Sequence, residues 1–290
     1  MDPKEILTNV GESVTSFFRR GKAESGGPPQ LTSPVRFPYG PFQFGFSVPK
    51  GASYEIQASS NLEAWQTISS GVSGTEAIEY VDSDASRFSY RFYRVLNGPV
   101  FSANAVGYIS IQAPPGYSMI SNPLRSELNS VNSLLTNMSD GTALYKFDNR
   151  LFKLAENTVK SSRWSNPTET LSPGEGALFF NPTSDFKTIN FSGELLQGNL
   201  LMPLGAGFSI RSSQLPKPGR LQQDLGFPVS AGDVVHLFDR DRQKYVIFDY
   251  DEKKWQSNPP IVGVGEAFWI GKAKAENWIQ NFELSKGTGG

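Results

Sequence analysis

GYSMISNPL at residues 116–124 returns 91 positions later as GFSIRSSQL at residues 207–215. Gly116, Ser118, Ser121 and Leu124 fall on Gly207, Ser209, Ser212 and Leu215. The same shift lays Leu134, Ser139, Gly141, Phe147, Asp148 and Trp164 on Leu225, Ser230, Gly232, Phe238, Asp239 and Trp255. It also lays Gly174, Glu175, Asn190 and Phe191 on Gly265, Glu266, Asn281 and Phe282. With Lys153 on Lys244, that makes 15 identities over the 76 positions 116–191 without a gap, where unrelated stretches would give about a third as many. Tyr117/Phe208, Met119/Ile210, Arg163/Lys254 and Leu171/Val262 are conservative exchanges at the same shift. A fixed period of this kind marks one structural unit used twice.

Each copy reads as short strands joined by turns. A strand (Tyr117–Ser121 or Phe208–Ser212) leads into a polar loop and a short helical turn near Val131–Leu135, weaker near Leu221–Leu225. A strand (Ala143–Asp148 or Val234–Asp239), a tight turn and a hairpin partner follow. A Trp-bearing loop then precedes Gly-Glu and another apolar strand (Ala177–Phe180 or Ala267–Ile270). Residues 106–197 and 198–286 are therefore expected to form two β repeats that pack about a pseudo-two-fold axis.

Upstream, residues 41–105 read as a small β-sandwich. Phe42, Phe44, Phe46 and Val48 alternate with polar or small residues, and so do Tyr54, Ile56 and Ala58; such alternation buries one face of a strand. Shorter strands are expected at Trp65–Ser69 and Ala77–Val81, and Phe88–Val95 is aromatic on both faces. Five or six short strands at this spacing indicate an antiparallel sandwich. Residues 21–40 read as a flexible linker, because Gly, Ser and Pro dominate and nothing is periodic. Residues 1–20 read as an amphipathic helix whose stripe is Ile6, Leu7, Val10, Val14, Phe17 and Phe18. On a tether, that stripe is expected to anchor the chain to a protein partner or a sister subunit. The fold class predicted is all-β, with one N-terminal helix.

Composition excludes much chemistry. The 290 residues include 28 Gly, 20 Pro and 21 Phe against 4 Met, which favours strands and turns over long helices. There is no Cys and a single His, His236, which removes disulfides, thiolate nucleophiles, Cys-ligated zinc and multi-His metal centres. A net charge of −1, spread evenly, offers nucleic acid no basic stripe. No apolar run is long enough for a transmembrane helix. MDPKEILTNV lacks the basic and apolar regions of a signal peptide, so a cytoplasmic location is expected, with the cell surface or a particle as the alternative. Phosphate-loop, dinucleotide, nucleophile-elbow and zinc-protease motifs are missing, so no cofactor is expected.

FGFSVPKGASYEIQASSNLEAWQTI (44–68) and YVDSDASRFSYRFYRV (80–95) resemble the small fibronectin-III or immunoglobulin-like modules appended to many large bacterial proteins. Tyr54, Ile56, Gln57, Ala58 and Ser59, then Leu62 and Trp65, then Asp82, Ala85 and Arg91–Val95 carry the resemblance. The repeated GYSMISNPL…DGTALYKFD…W…LSPGEGALFF pattern looks like a β-rich domain that accompanies such modules. The resemblance implies spacers, adhesion units or assembly parts, and brings no catalytic residues.

Four sets of side chains are candidates for chemistry. Glu175 and Glu266, each after a Gly, could converge as the carboxylate pair of a glycoside hydrolase; the plainer reading is a cap on each turn. Trp164 and Trp255 could stack on sugars, or could plug the core of each copy. His236 stands where the first copy has Tyr145, which points to packing. Asp82 with Asp84, and Asp239 with Asp241, could hold calcium if other oxygens converge, and otherwise serve hairpin turns. No enzyme activity and no metal site are expected. The leading function is a structural or interaction component of a larger bacterial or phage-like assembly, docked through its N-terminal helix, with an oligomer compatible with that role. The alternative is a glycan-binding or adhesion module.

Overall fold

The aromatic alternation of the first strands builds the first core. This computed structural model describes residues 27–37 and 40–284; the helix expected over 1–20, with its stripe from Ile6 to Phe18, lies outside the described residues. The described chain is all-β. The opening strands are β1 (Leu31–Arg36), β2 (Phe42–Ser47), β3 (Ser53–Ser59), β4 (Gln66–Val72) and β5 (Ala77–Asp82). A 3-10 turn (Ser83–Arg87) leads to β6 (Tyr90–Asn97), β7 (Val100–Phe101) and β8 (Val106–Ala113). The order β1-β2-β5 makes one sheet, and β4-β3-β6-β8 lies in the other. Phe42, Phe44 and Phe46 on one sheet meet Ile56, Tyr93, Val95 and Tyr108 on the other. The Phe42 ring stacks on Tyr93 at 4.9 Å, a pairing worth more than its buried area alone. At the closed end Asp82 accepts from Arg91 at 2.7 Å and from the Tyr93 hydroxyl at 2.6 Å, so this carboxylate is paired rather than open to an ion.

Two boundaries differ from the sequence reading. Residues 31–36, expected within the linker, form β1. Its alternation is broken by a bulge at Ser33–Pro34, where the register slips and Ser33 takes a φ of 49°, so the pattern does not read as a strand. Asn104 holds it, accepting from the Leu31 amide at 2.8 Å and donating to the Leu31 carbonyl at 2.9 Å. The boundary expected at residue 105 does not end a sheet. β8 pairs with β6 through Tyr90↔Ile109 to Tyr93↔Val106, and on its other edge with β15 (Lys187–Leu195). One strand thus closes the sandwich and opens the next unit, because a strand has two edges to offer. β6 accordingly sends Phe92 into the following unit's core and Tyr93 and Val95 into the sandwich's.

The first unit continues with β9 (Gly116–Ile120), β10 (Leu124–Arg125), the one-turn helix α1 (Val131–Leu134), β11 (Ala143–Asp148), β12 (Lys153–Lys160), β13 (Arg163–Trp164) and β14 (Ala177–Asn181), before β15. The second comprises β16 (Gly198–Leu204), β17 (Gly207–Ser212), β18 (Gly219–Arg220), β19 (Asp233–Asp239), β20 (Lys244–Asp251), β21 (Lys254–Trp255), β22 (Ile261–Val262), β23 (Ala267–Lys272) and β24 (Glu276–Phe282). Their five-stranded sheets run β13-β12-β11-β14-β9 and β21-β20-β19-β23-β17. Register pairs repeat at the same shift: Leu144↔Asn157 has its counterpart in Val235↔Phe248. Left-handed backbone repeats too, with φ of 51° and 60° at Ser161 and Ser162 against 47° and 63° at Glu252 and Lys253. Two successive residues of this kind make a primed hairpin turn. In the first unit Asp140 steadies it by accepting from both Ser161 and Ser162 amides.

Candidate functional site

The two units meet through reciprocal contacts. Ile120 bridges Glu266, and Arg211 bridges Glu175. The Ser121 amide donates to the Gly265 carbonyl at 2.8 Å, and the Ser212 amide to the Gly174 carbonyl at 3.1 Å. Each pair maps onto the other at 91 residues, as across a two-fold axis. Met119, Ile210 and Ala267 form the small core at that junction, flanked by Phe147, Leu178, Phe238 and Trp269. The hairpin tips cross over in the same manner. Gln243 accepts from the Tyr117 amide at 2.8 Å and donates to the Tyr117 carbonyl at 2.9 Å. Its counterpart Phe152 lies 6.4 Å from Phe208, the counterpart of Tyr117.

Around this junction runs a continuous aromatic surface. Register puts Ile210, Trp269, His236 and Ile247 in one row across the second sheet, with Phe238 and Tyr245 beside them. Phe147 sits edge-on to Trp269 at 4.9 Å and to Phe152 at 5.4 Å. Phe208, His236 and Tyr245 continue the chain at 6.2 Å per step. The Trp269 indole donates to the Tyr245 hydroxyl at 3.1 Å. Phe152 is 69% exposed, Ile247 54%, Phe208 41% and Tyr245 40%. The opposite face of the same sheet holds Val235, Tyr250, Phe268 and Ile270 in the core. Exposed apolar surface gathered in one place marks a contact surface. Burial lowers the pKa of His236 within it, with a smaller opposing effect from Asp249.

Sequence reasoning missed this face. Its signal was the second set of alternating residues on each strand, Tyr145 and Phe147 or His236 and Phe238, which a two-sided apolar strand hides from a pattern search.

The other sequence candidates fall elsewhere. Trp164 is 6% exposed and Trp255 8%. Their indole N–H groups donate inward, Trp164 to the Leu135 carbonyl at 3.0 Å and Trp255 to Gln222 at 3.1 Å. Neither presents a face to a sugar; both plug their unit, because a large ring gains most from burial and its one donor needs a partner. Glu175 caps its turn, accepting from the Ser172 amide at 2.7 Å, and Glu266 does the same with the Gly263 amide at 2.8 Å. Burial raises the Glu175 pKa, but Lys146 at 3.0 Å and the turn bonds outweigh it and hold the carboxyl below its ordinary value. Glu266 is pushed up by burial, which the Gly263 amide and Arg240 offset only in part. Asp239 accepts from the Asp241 and Arg242 amides in a hairpin turn. Among the described residues no three acidic or His side chains converge to hold a metal ion, and no helix is long and apolar enough to cross a membrane.

No family model matches the chain, and no curated protein matches it in sequence. Among solved structures, the chicken CNTN1 FN1–FN3 domains align over 90% of this chain and 95% of theirs, at 11% identity and a TM-score of 0.22. A Ca2+-stabilized adhesin of an Antarctic bacterium aligns over 86% of this chain and 66% of its own, at 9% identity and a TM-score of 0.18. At such TM-scores neither likeness carries an argument about this chain.

Proposed function

We propose that the chain is a non-enzymatic interaction component of a larger assembly, attached through the stripe Ile6, Leu7, Val10, Val14, Phe17 and Phe18 and contacting its neighbours through the aromatic face. The observation that carries this reading is the exposure of Phe152, Phe208, Tyr245 and Ile247 on one continuous surface. The reading also takes the sandwich as a fibronectin-III-like module, in support of which β1-β2-β5 faces β4-β3-β6-β8, and the two units as copies of one ancestral unit, in support of which their contacts repeat at 91 residues. On this reading Glu175 and Glu266 each cap a turn.

Sedimentation of the full chain in extract of its own cells, beside a 23–290 truncation and a Phe152→Ser/Phe208→Ser variant, tests it. The full chain should travel with a large particle, and the truncation should travel alone. Co-migration of the truncation would overturn attachment through the N-terminal stripe. The second reading, a glycan-binding or adhesion module, draws on the same exposed rings, which can stack on sugars. Glycan-array binding that is lost in the Phe152→Ser/Phe208→Ser variant would favour it.

A further inference from the structure

A cavity of about 370 Å³ opens where the second unit's β19–β20 hairpin meets the first unit's strands. Ile111, Met119 and Phe238 wall it, and Glu266, Arg240 and Asp241 supply charge. Its size is that of a small-molecule site. The pseudo-two-fold contacts provide an internal comparison for Glu266. At the equivalent position Glu175 receives Lys146 at 3.0 Å on one oxygen and the Thr170 hydroxyl at 3.0 Å on the other, and Arg211, whose backbone bridges that of Glu175 across the junction, interacts with it electrostatically. The residues equivalent to Lys146, Thr170 and Arg211 are Leu237, Ile261 and Ile120. So the same carboxylate position, with the same turn bond, lacks the lysine and hydroxyl partners of its counterpart, keeps only a weaker electrostatic influence from Arg240, and borders this cavity. Among the described residues Glu266 makes no ion pair. Arg240, the nearest cation, instead donates to the Gln112 carbonyl at 3.1 Å. Burial raises the Glu266 pKa, as expected of a carboxylate short of a counter-charge.

We propose that this cavity binds the cationic end of an alkyl chain, an ammonium or a guanidinium, with its charge on Glu266 and its methylenes along Ile111, Met119 and Phe238. Such a group comes from a lysine or arginine side chain of a protein or from a free alkylamine, and both share this chemistry. The site stands on its own geometry and does not need the assembly reading.

The test uses the full chain labelled at its methionine methyl groups, of which the sequence has only 4. The probes are n-butylammonium chloride and the peptide acetyl-Gly-Lys-Gly-amide, with sodium chloride at matched ionic strength as the control. The Met119 methyl resonance should shift saturably, with half-saturation at about 1–10 mM. The Met202 methyl, beside Gly174 in the first unit's counterpart, should stay. Glu266→Gln should weaken the response about tenfold or more while its thermal midpoint shows that it remains folded. A response to both probes names a side-chain source, and a response to butylammonium alone names a free amine. A shift matched by sodium chloride, one undiminished in Glu266→Gln, or one that appears only in Arg240→Ala would overturn the proposal, the last because Arg240 would already serve Glu266.

Discussion

Glu175 and Glu266 answer to one sequence signal and carry opposite electrostatics. Glu175 sits below the ordinary carboxylate pKa in the fold. Its stabilisation is therefore present above the unfolded pKa and lost as pH falls through the folded one. Glu266 sits above it, so its contribution is present in acid and lost as pH rises through the folded value. Glu175→Gln should lose stability near neutral pH and approach the parent in acid; Glu266→Gln should gain on the parent as pH rises. Urea midpoints between about pH 3 and 7 read both, and two variants with the same sign would refute the contrast. Gly176 is the tightest glycine of the junction. A Cβ there would lie 2.6 Å from the Ala267 Cβ and 2.7 Å from Ile210 Cγ2. Gly176→Ala should cost about 1–3 kcal/mol by urea denaturation, while Gly205→Ala, with nothing within 4 Å, should cost nothing comparable. The turn-capping Glu was legible from Gly-Glu in both copies. Its charge neighbours were not, since Lys146 and Arg211 reach Glu175 from another strand and another unit.

At the scale of elements, each β11–β12 or β19–β20 hairpin holds its partner unit by its tip. Gln243→Ala removes two bonds to the Tyr117 backbone. It should cost about 1–2 kcal/mol and speed amide exchange at Tyr117, leaving exchange in β3 unchanged. The strands of both units were legible because turn glycines and alternating core positions leave backbone conformation and volume little choice. Gly116 and Gly207, for example, take φ of 89° and 91°, a region closed to most side chains. β1 was not legible: Pro34 and the bulge break its alternation, and Leu31 is held by Asn104, far away in sequence. Trp164 and Trp255 were legible as plugs, and their burial removes them as sugar platforms.

Across the whole molecule, the sandwich and the C-terminal segment are tied by Arg94. Its guanidinium lies 4.5 Å from the Trp65 ring and 4.4 Å from Phe101, and donates to the Leu284 carbonyl at 2.8 Å. Burial lowers its pKa to about 10. Arg94→Met should keep the hydrophobic stem, lose the tie, and expose residues near Leu284 to limited proteolysis before the sandwich core yields. An unchanged digestion pattern would count against the tie. The sequence by itself determined the all-β class and the alternation of the sandwich strands, because alternation and turn residues are local properties of the chain. Only the tertiary structure decided that β8 joins the sandwich to the next unit within one sheet, that aromatic rings spread out in sequence form one exposed face, and that Glu266 borders a cavity where Glu175 meets Lys146. Those outcomes depend on which strand edge and which side chain arrives from a distant segment, and no local pattern records that.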